Sequence, residues 1–230
     1  MSLQWPSSKI TPTIDARTIA RTQAFRGRAD TGSGDTTDTE YTARLRELQG
    51  AKWKRILNVQ APYQWNIRRF LGGRKVLDVG CGIGRNLRNL PPGSVGVDHN
   101  EHSVEFCRSV GFEAYSSAEF HSESDQRTFD GMLMAHLLEH LPAGEASGIV
   151  AEYLPFLEPG ATVMLICPQE RGFASDPTHT VFLDGVDLEK ICADNGLVVR
   201  RSLSFPFPRW MGKPFIYNES VVIAEVPSRL

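Results

Sequence analysis

The sequence predicts an α/β protein: a seven-stranded, mostly parallel sheet with an antiparallel pair at one edge, preceded by an N-terminal helical cap. Three observations carry that expectation. After Gly72-Gly73, short apolar runs bounded by turn residues alternate with amphipathic stretches, the pattern of βα units. The first of these runs leads straight into a glycine-rich turn, VLDVGCGIGR. The last two runs follow one another with no helical pattern between them, as antiparallel neighbours do.

Taken in order, residues 1–40 are poor in apolar side chains and end in RGRADTGSGDTTDTE. Such a composition cannot bury enough surface to offset the ordering of its backbone, which predicts a flexible N-terminal arm. Over residues 41–71, Leu45, Leu48, Trp53, Ile56 and Leu57 recur at helical spacing. Pro62 interrupts the pattern, and helix is expected to resume from Trp65 to Phe70, completing the cap. The remaining residues, 72–230, form the expected α/β domain, with strands at 75–79, 94–97, 113–115, 129–134, 162–167, 198–204 and 220–225. Helices are expected at 86–90, 102–110, 144–157 and 186–195, and Pro159-Gly160 reads as the turn into the fifth strand. SFPFPRWMGKPF reads as a long aromatic loop between the last two strands.

Composition narrows the function classes. A chain of 230 residues has room for one sizeable α/β domain, and a net charge of −2 lacks the basic surplus of a nucleic-acid binder. Cys81, Cys107, Cys167 and Cys192 are far apart and form no CxxC pair, which predicts reduced, buried thiols. No apolar run approaches the ~20 residues needed to cross a bilayer, and the start lacks a signal-peptide profile. The expectation is a soluble cytoplasmic protein without membrane insertion.

The glycine turn points to a ligand. Gly80, Gly82 and Gly84 follow a GxGxG spacing rather than the dinucleotide GxGxxG, and Asp78 stands two residues ahead of them. Glycines between a strand and a helix allow positive φ and let a nucleotide approach backbone N–H groups. A carboxylate beside a pyrophosphate would be repelled, whereas an ammonium or sulfonium would be attracted. Asp98 ends the second expected strand in GSVGVDHN, where a carboxylate accepts from a ribose diol. A ribose together with positive charge describes S-adenosylmethionine.

In order and spacing, VLDVGCGIGR, GVDHN, FDGMLMAHLLEHL and LEPGATVMLI resemble the motifs of class I S-adenosylmethionine-dependent methyltransferases, a Rossmann-like family. The resemblance implies that Asp78 acts on the methionine amino group and that Gly80, Cys81 and Gly82 pass under the methionine and ribose. It places Asp98 on the ribose diol and His99 beside the adenine. Ser117, Ala118 and Glu119 are its candidates for contact with the adenine amine, and Ala135 and His136 would border the methionine end.

AHLLEHLP sets His136, Glu139 and His140 at i, i+3 and i+4, on one face if a helical turn forms. PQERGFASDPTHTVF adds Gln169, Asp176 and His179 to the same expected rim. A sulfonium methyl is already electrophilic, so transfer needs alignment, exclusion of water and, for a hydroxyl acceptor, a base. His140 and His179 are the candidates. The alternatives are that His140 is a structural residue on a backbone carbonyl and that His179 caps a turn. The histidine–glutamate set is also similar to the Glu-x-x-Glu-His plus distal His of small-RNA 2′-O-methyltransferases that use a divalent ion. His136 departs from that pattern, and EHL is common in metal-free members of the broader family, so no metal is expected.

Gln60, Tyr63, Trp65, Arg209, Trp210 and Tyr217 are candidates for an acceptor pocket. The expected activity is methyl transfer to a small-molecule acceptor (saccharide, lipid-linked or aromatic) at oxygen. The rivals are a nicotinamide-dependent oxidoreductase and a cofactor-binding regulatory module without turnover.

Overall fold

The structure, a computed structural model, describes residues 61–123 and 127–228. Among these, seven strands form one sheet: β1 Val76–Val79, β2 Val95–Asp98, β3 Ala114–Ser116, β4 Phe129–Ala135, β5 Leu157–Pro168, β6 Val198–Phe205 and β7 Glu219–Glu225. The helices are α1 Ala61–Leu71, α2 Glu101–Ser109, α3 Ser117–Glu123, α4 Ala146–Tyr153, the single turn α5 Glu170–Phe173, and α6 Gly185–Asp194. Strand order is β3-β2-β1-β4-β5-β7-β6. The first five strands are parallel, and β7 runs antiparallel between β5 and β6. The chain winds one way from β1 to β3 and the other way from β4 onward. A crevice therefore opens beyond the carboxyl ends of β1 and β4, where open α/β sheets take ligands.

Every residue of β1 and β2 is buried, as expected of central parallel strands covered on both faces. Period-two alternation divides their side chains. Leu77, Val79, Met132, Met134, Val163 and Leu165 pack on one face with Phe120, Val150, Leu188 and Ile191. Val76, Leu133, Ala135, Met164 and Ile166 pack on the other with Ile67 and Leu71 of α1. Asp78, two residues after Val76, falls on this α1 face. Helix is present from Ala61 through Leu71, and the expected interruption at Pro62 falls at the edge of the described residues. The rest of the expected cap, 41–60, and the arm, 1–40, lie outside the described residues.

Three local expectations need correction. The helix expected at 86–90 is only a 3₁₀ turn, Leu87–Asn89, because Pro91 and Pro92 follow and disfavour helical backbone just ahead of them. A helix unforeseen in the sequence, α3, follows β3 directly. Its start is a capping box in which Glu119 N donates to Ser116 Oγ and Ser116 N donates to Glu119 Oε2. Strand β5 starts at Leu157, ahead of Pro159-Gly160, and those two residues fall within the register shift between the pairs Phe129–Leu157 and Gly131–Thr162.

Gly96 in β2 packs against the glycine turn so closely that an added Cβ would lie 2.7 Å from Cys81 Sγ and 2.8 Å from Leu87 Cδ1. Gly96→Ala is therefore expected to destabilise the protein by about 1–3 kcal/mol through overpacking; urea unfolding at constant pH measures it, and an unchanged midpoint would refute the close packing.

Candidate active site

The glycine turn after β1 is pinned to the end of β2. Gly80 N and Cys81 N both donate to Val97 O, at 2.8 and 3.1 Å. Gly82 N donates to Asp98 Oδ2 at 2.7 Å, and Asn100 N donates to Asp98 Oδ1 at 2.9 Å. Each oxygen of Asp98 thus accepts one backbone bond, and a carboxylate has about four lone-pair sites, so it retains capacity for a diol. His99 is exposed beside it, with Nδ1 3.4 Å from Asp98 Oδ1. Cys81 is buried beneath the turn, and Cys107 Sγ donates to Gly82 O at 3.2 Å. Gly80 has φ 75°, and a Cβ there would lie 3.0–3.2 Å from the Leu137 side chain. The turn and Leu137 therefore face each other across a gap that only glycine keeps open.

Asp78 is fully buried, and neither of its carboxylate oxygens accepts a hydrogen bond. Burial lifts its pKa to about 7, with nearby Asp98 adding to the shift and Asn86 and Arg85 opposing it. Tyr63 of α1 donates to Asn86 Oδ1 at 3.0 Å and lies under the Arg85 guanidinium, closing the α1 side of this chamber. An orphaned buried acid beside a glycine cradle suits a ligand that brings an ammonium group.

At the next strand end, Ser117 and Ala118 open α3. Glu119 is committed to the capping box and to Arg108, whose Nη2 donates to Oε2 at 2.8 Å, so its carboxylate is already engaged.

Ala135 ends β4, and His136 follows with φ 57°, a left-handed backbone that non-glycine residues rarely adopt. His136 Nε2 lies 2.9 Å from Glu219 Oε1 at the start of β7, and Nδ1 lies 3.3 Å from Glu139 Oε1. Burial alone would lower the His136 pKa, but the two carboxylates outweigh it and raise it to about 9. His136 is therefore an imidazolium at neutral pH, shared between two acids.

Glu139 sits in a 3₁₀ turn, Leu138–His140, and is fully buried. Its carbonyl accepts from Thr180 N at 2.8 Å and Val181 N at 3.2 Å, which docks the loop after α5 onto this turn. Docking brings His179 to His140, with ring centroids 4.7 Å apart. Both alternatives weighed for these residues hold at one nitrogen: His140 Nδ1 lies 3.2 Å from Thr178 O, and His179 Nδ1 lies 2.8 Å from Phe173 O. In each ring the other nitrogen is left for a ligand. Burial lowers the His140 pKa and favours neutral imidazole.

The expected site residues therefore fall into two neighbouring groups, one along the ends of β1, β2 and β4 and one at the 138–140 turn. Gln169 does not face the rim. It is buried, donating from Nε2 to Ser204 Oγ and Glu219 O and accepting from Asn218 Nδ2, and so anchors the aromatic loop. Asp176 shapes the His179 loop by accepting from Thr178 N and Oγ1. Arg209 is held by Glu170, Gln60 lies outside the described residues, and Trp65, Trp210 and Tyr217 are exposed. Sequence reasoning missed Glu219 and Leu137. Glu219 had no local signal, since its contact with His136 depends on strand order.

A family model described as a methyltransferase domain matches residues 45–202. The ubiquinone biosynthesis O-methyltransferase of Methylococcus capsulatus is 35% identical over 103 residues, covering 40% of this chain and 43% of that protein. The same-named protein of Hahella chejuensis is 29% identical over 104 residues, covering 41% and 43%. The chain thus spans less than half the length of these curated relatives. Among solved structures, an S-adenosylmethionine-dependent methyltransferase from Archaeoglobus fulgidus superposes with TM-score 0.53 at 21% identity, covering 71% of this chain and 92% of its own. Magnesium protoporphyrin IX methyltransferase from Synechocystis, with bound S-adenosylhomocysteine, superposes with TM-score 0.54 at 16% identity, covering 80% and 99%. These likenesses establish a shared fold. No helix among the described residues is long and apolar enough to cross a membrane.

The raised pKa of Asp78 has a stability consequence. Its folded value of about 7 exceeds its unfolded value of 3.8, so any stability it lends is present below the unfolded value and is lost as pH rises toward 7. Asp78→Asn is expected to match the wild type near pH 4 and to exceed it by a few kcal/mol at pH 8 in ligand-free unfolding experiments. Equal stability at both pH values would contradict the burial of an unpaired acid.

Proposed function

The chain belongs to the methyltransferase-domain family, and on that premise we propose that it transfers the methyl group of S-adenosylmethionine to a hydroxyl oxygen of a small-molecule acceptor. The observation that carries the reading is the Asp78 carboxylate, buried without a hydrogen bond at the mouth of the glycine turn. A cationic amino acid end would satisfy it, whereas a nicotinamide dinucleotide would bring a pyrophosphate against it. When bound, S-adenosylmethionine supplies an electrophilic methyl on a sulfonium.

In this reading Asp78 takes the methionine ammonium, and the turn of Gly80, Cys81 and Gly82 passes beneath the methionine and ribose. Asp98 accepts from the ribose diol. His99 flanks the adenine, whose edge meets Ser117 and Ala118. Ala135 and His136 border the methionine end, where Asp78, Glu139 and Glu219 outnumber the single imidazolium and favour a cationic sulfonium. His140 and His179 present their remaining ring nitrogens to the acceptor hydroxyl, orienting it and easing loss of its proton. Oxygen is favoured over nitrogen or carbon by this histidine pair and by the names of the partial relatives. A hydroxylated aromatic or lipid-linked acceptor agrees with the aromatic side chains near α1, where Trp65 stacks on Phe205 at 6.1 Å.

Labelled S-adenosylmethionine offered with phenolic, saccharide and polyprenyl-linked hydroxyl compounds should release S-adenosylhomocysteine with at least one of them; methylation confined to amines or carbon would overturn the assignment to oxygen. Asp98→Ala should weaken S-adenosylhomocysteine binding by about 1–3 kcal/mol, the range for unpaired polar partners, and unchanged calorimetric affinity would remove Asp98 from the ribose. His140→Ala and His179→Ala should lower turnover while leaving cofactor affinity within about twofold; full activity in both would remove them from catalysis.

A further inference from the structure

Glu139, His140 and His179 hold a feature that the reading above does not use. One ligand atom from each lies within 4.8 Å of the others, and His179 Nε2 is 4.0 Å from Glu139 Oε1. We infer that Glu139 Oε1 and the Nε2 atoms of His140 and His179 bind a divalent transition-metal cation. The inference deepens the proposed methyl transfer to oxygen and rests on it for the role of the cation, though not for its binding.

Two observations support the site. First, the hydrogen bonds fix the donor atoms. His179 Nδ1 meets Phe173 O and His140 Nδ1 meets Thr178 O, contacts that place the proton of a neutral ring on Nδ1 and its lone pair on Nε2. A backbone carbonyl behind each imidazole is the usual support of a metal-bound histidine. Second, Glu139 is fully buried, yet no hydrogen bond ends on Oε1. Oε2 is held by the Cys167 thiol at 3.4 Å, which turns Oε1 toward the histidines. Oε1 then faces His179 Nε2 at 4.0 Å as well as His136 Nδ1 at 3.3 Å, and the gap on the His179 side is wide enough for a cation to bridge the pair.

The donor set, two imidazole nitrogens and one carboxylate oxygen, suits zinc, cobalt or manganese better than calcium or magnesium. Metal–ligand bonds of about 2.0–2.2 Å place neighbouring donors roughly 3.3 Å apart. The three side chains must therefore close by about 1 Å or somewhat more, which small χ rotations supply. Three protein ligands leave a position open, as in catalytic rather than structural sites. An acceptor hydroxyl bound there would become more acidic and lose its proton to solvent, with His140 and His179 acting as ligands rather than bases.

The test uses the full chain stripped with a chelator and titrated with Co²⁺. The expected result is a saturable visible d–d spectrum at one equivalent, bleached by Zn²⁺, with affinity reduced at least tenfold in His140→Ala and in His179→Ala. Glu139→Gln should behave alike. The two histidine variants, which alter only partly exposed side chains, carry the test if the buried substitution fails to fold. Absence of a saturable spectrum, or unchanged affinity in both histidine variants, overturns the site. Calorimetry with S-adenosylhomocysteine and turnover assays on the same preparations separate the two proposals. Turnover restored to the stripped protein by Zn²⁺ or Mn²⁺ supports both, whereas full turnover without metal overturns the catalytic role of the cation. Saturable Co²⁺ binding without methyl transfer to any hydroxyl acceptor sustains the site and overturns the proposed function.

Discussion

A carboxylate buried in a central parallel strand with no donor on either oxygen is the constraint around which the molecule is arranged. Asp78 is held there because β1 is covered on both faces and its period-two alternation turns residue 78 toward α1. Left alone, such a group opposes folding, and its pKa rises until protonation competes at neutral pH. The surroundings leave it that way: Tyr63 is engaged with Asn86, and Arg85 is drawn over the Tyr63 ring. Asn86 and Arg85 relieve it only in part, so the buried acid remains a cost to the folded chain without a ligand.

The glycine turn completes the chamber by a different device. Its backbone is fastened to β2 through Val97 O and the Asp98 carboxylate, so the strand ends and the turn form a single rigid edge. The same acid that shapes the turn accepts only one backbone bond on each oxygen and keeps further lone pairs.

At the end of β4 the logic is electrostatic. His136, in a left-handed backbone conformation, bridges Glu139 and Glu219 and stays charged. Glu139 in turn stands before two imidazoles whose Nδ1 atoms meet backbone carbonyls. The region beyond the glycine turn thus gathers buried carboxylates and imidazole nitrogens around Glu139.

Much of this was legible from residue order. The strands follow from short apolar runs, the glycine turn and Asp78 from adjacency, and Asp98 from its place at the end of the next strand, because these are local consequences of backbone sterics and burial. The capping box at Ser116 and Glu119 was equally local, and its S-x-x-E signal was overlooked. Other features had no local signature. Glu219 reaches His136 across 83 residues because β7 inserts antiparallel between β5 and β6, and His179 reaches His140 because a loop docks on the Glu139 carbonyl. The sequence by itself determined which strands and turns form and that a cationic nucleoside suits the first of those turns. Only the tertiary structure decided which acids share an imidazolium and which lone pairs converge, since such pairings depend on strand order and loop docking, which residue spacing does not encode.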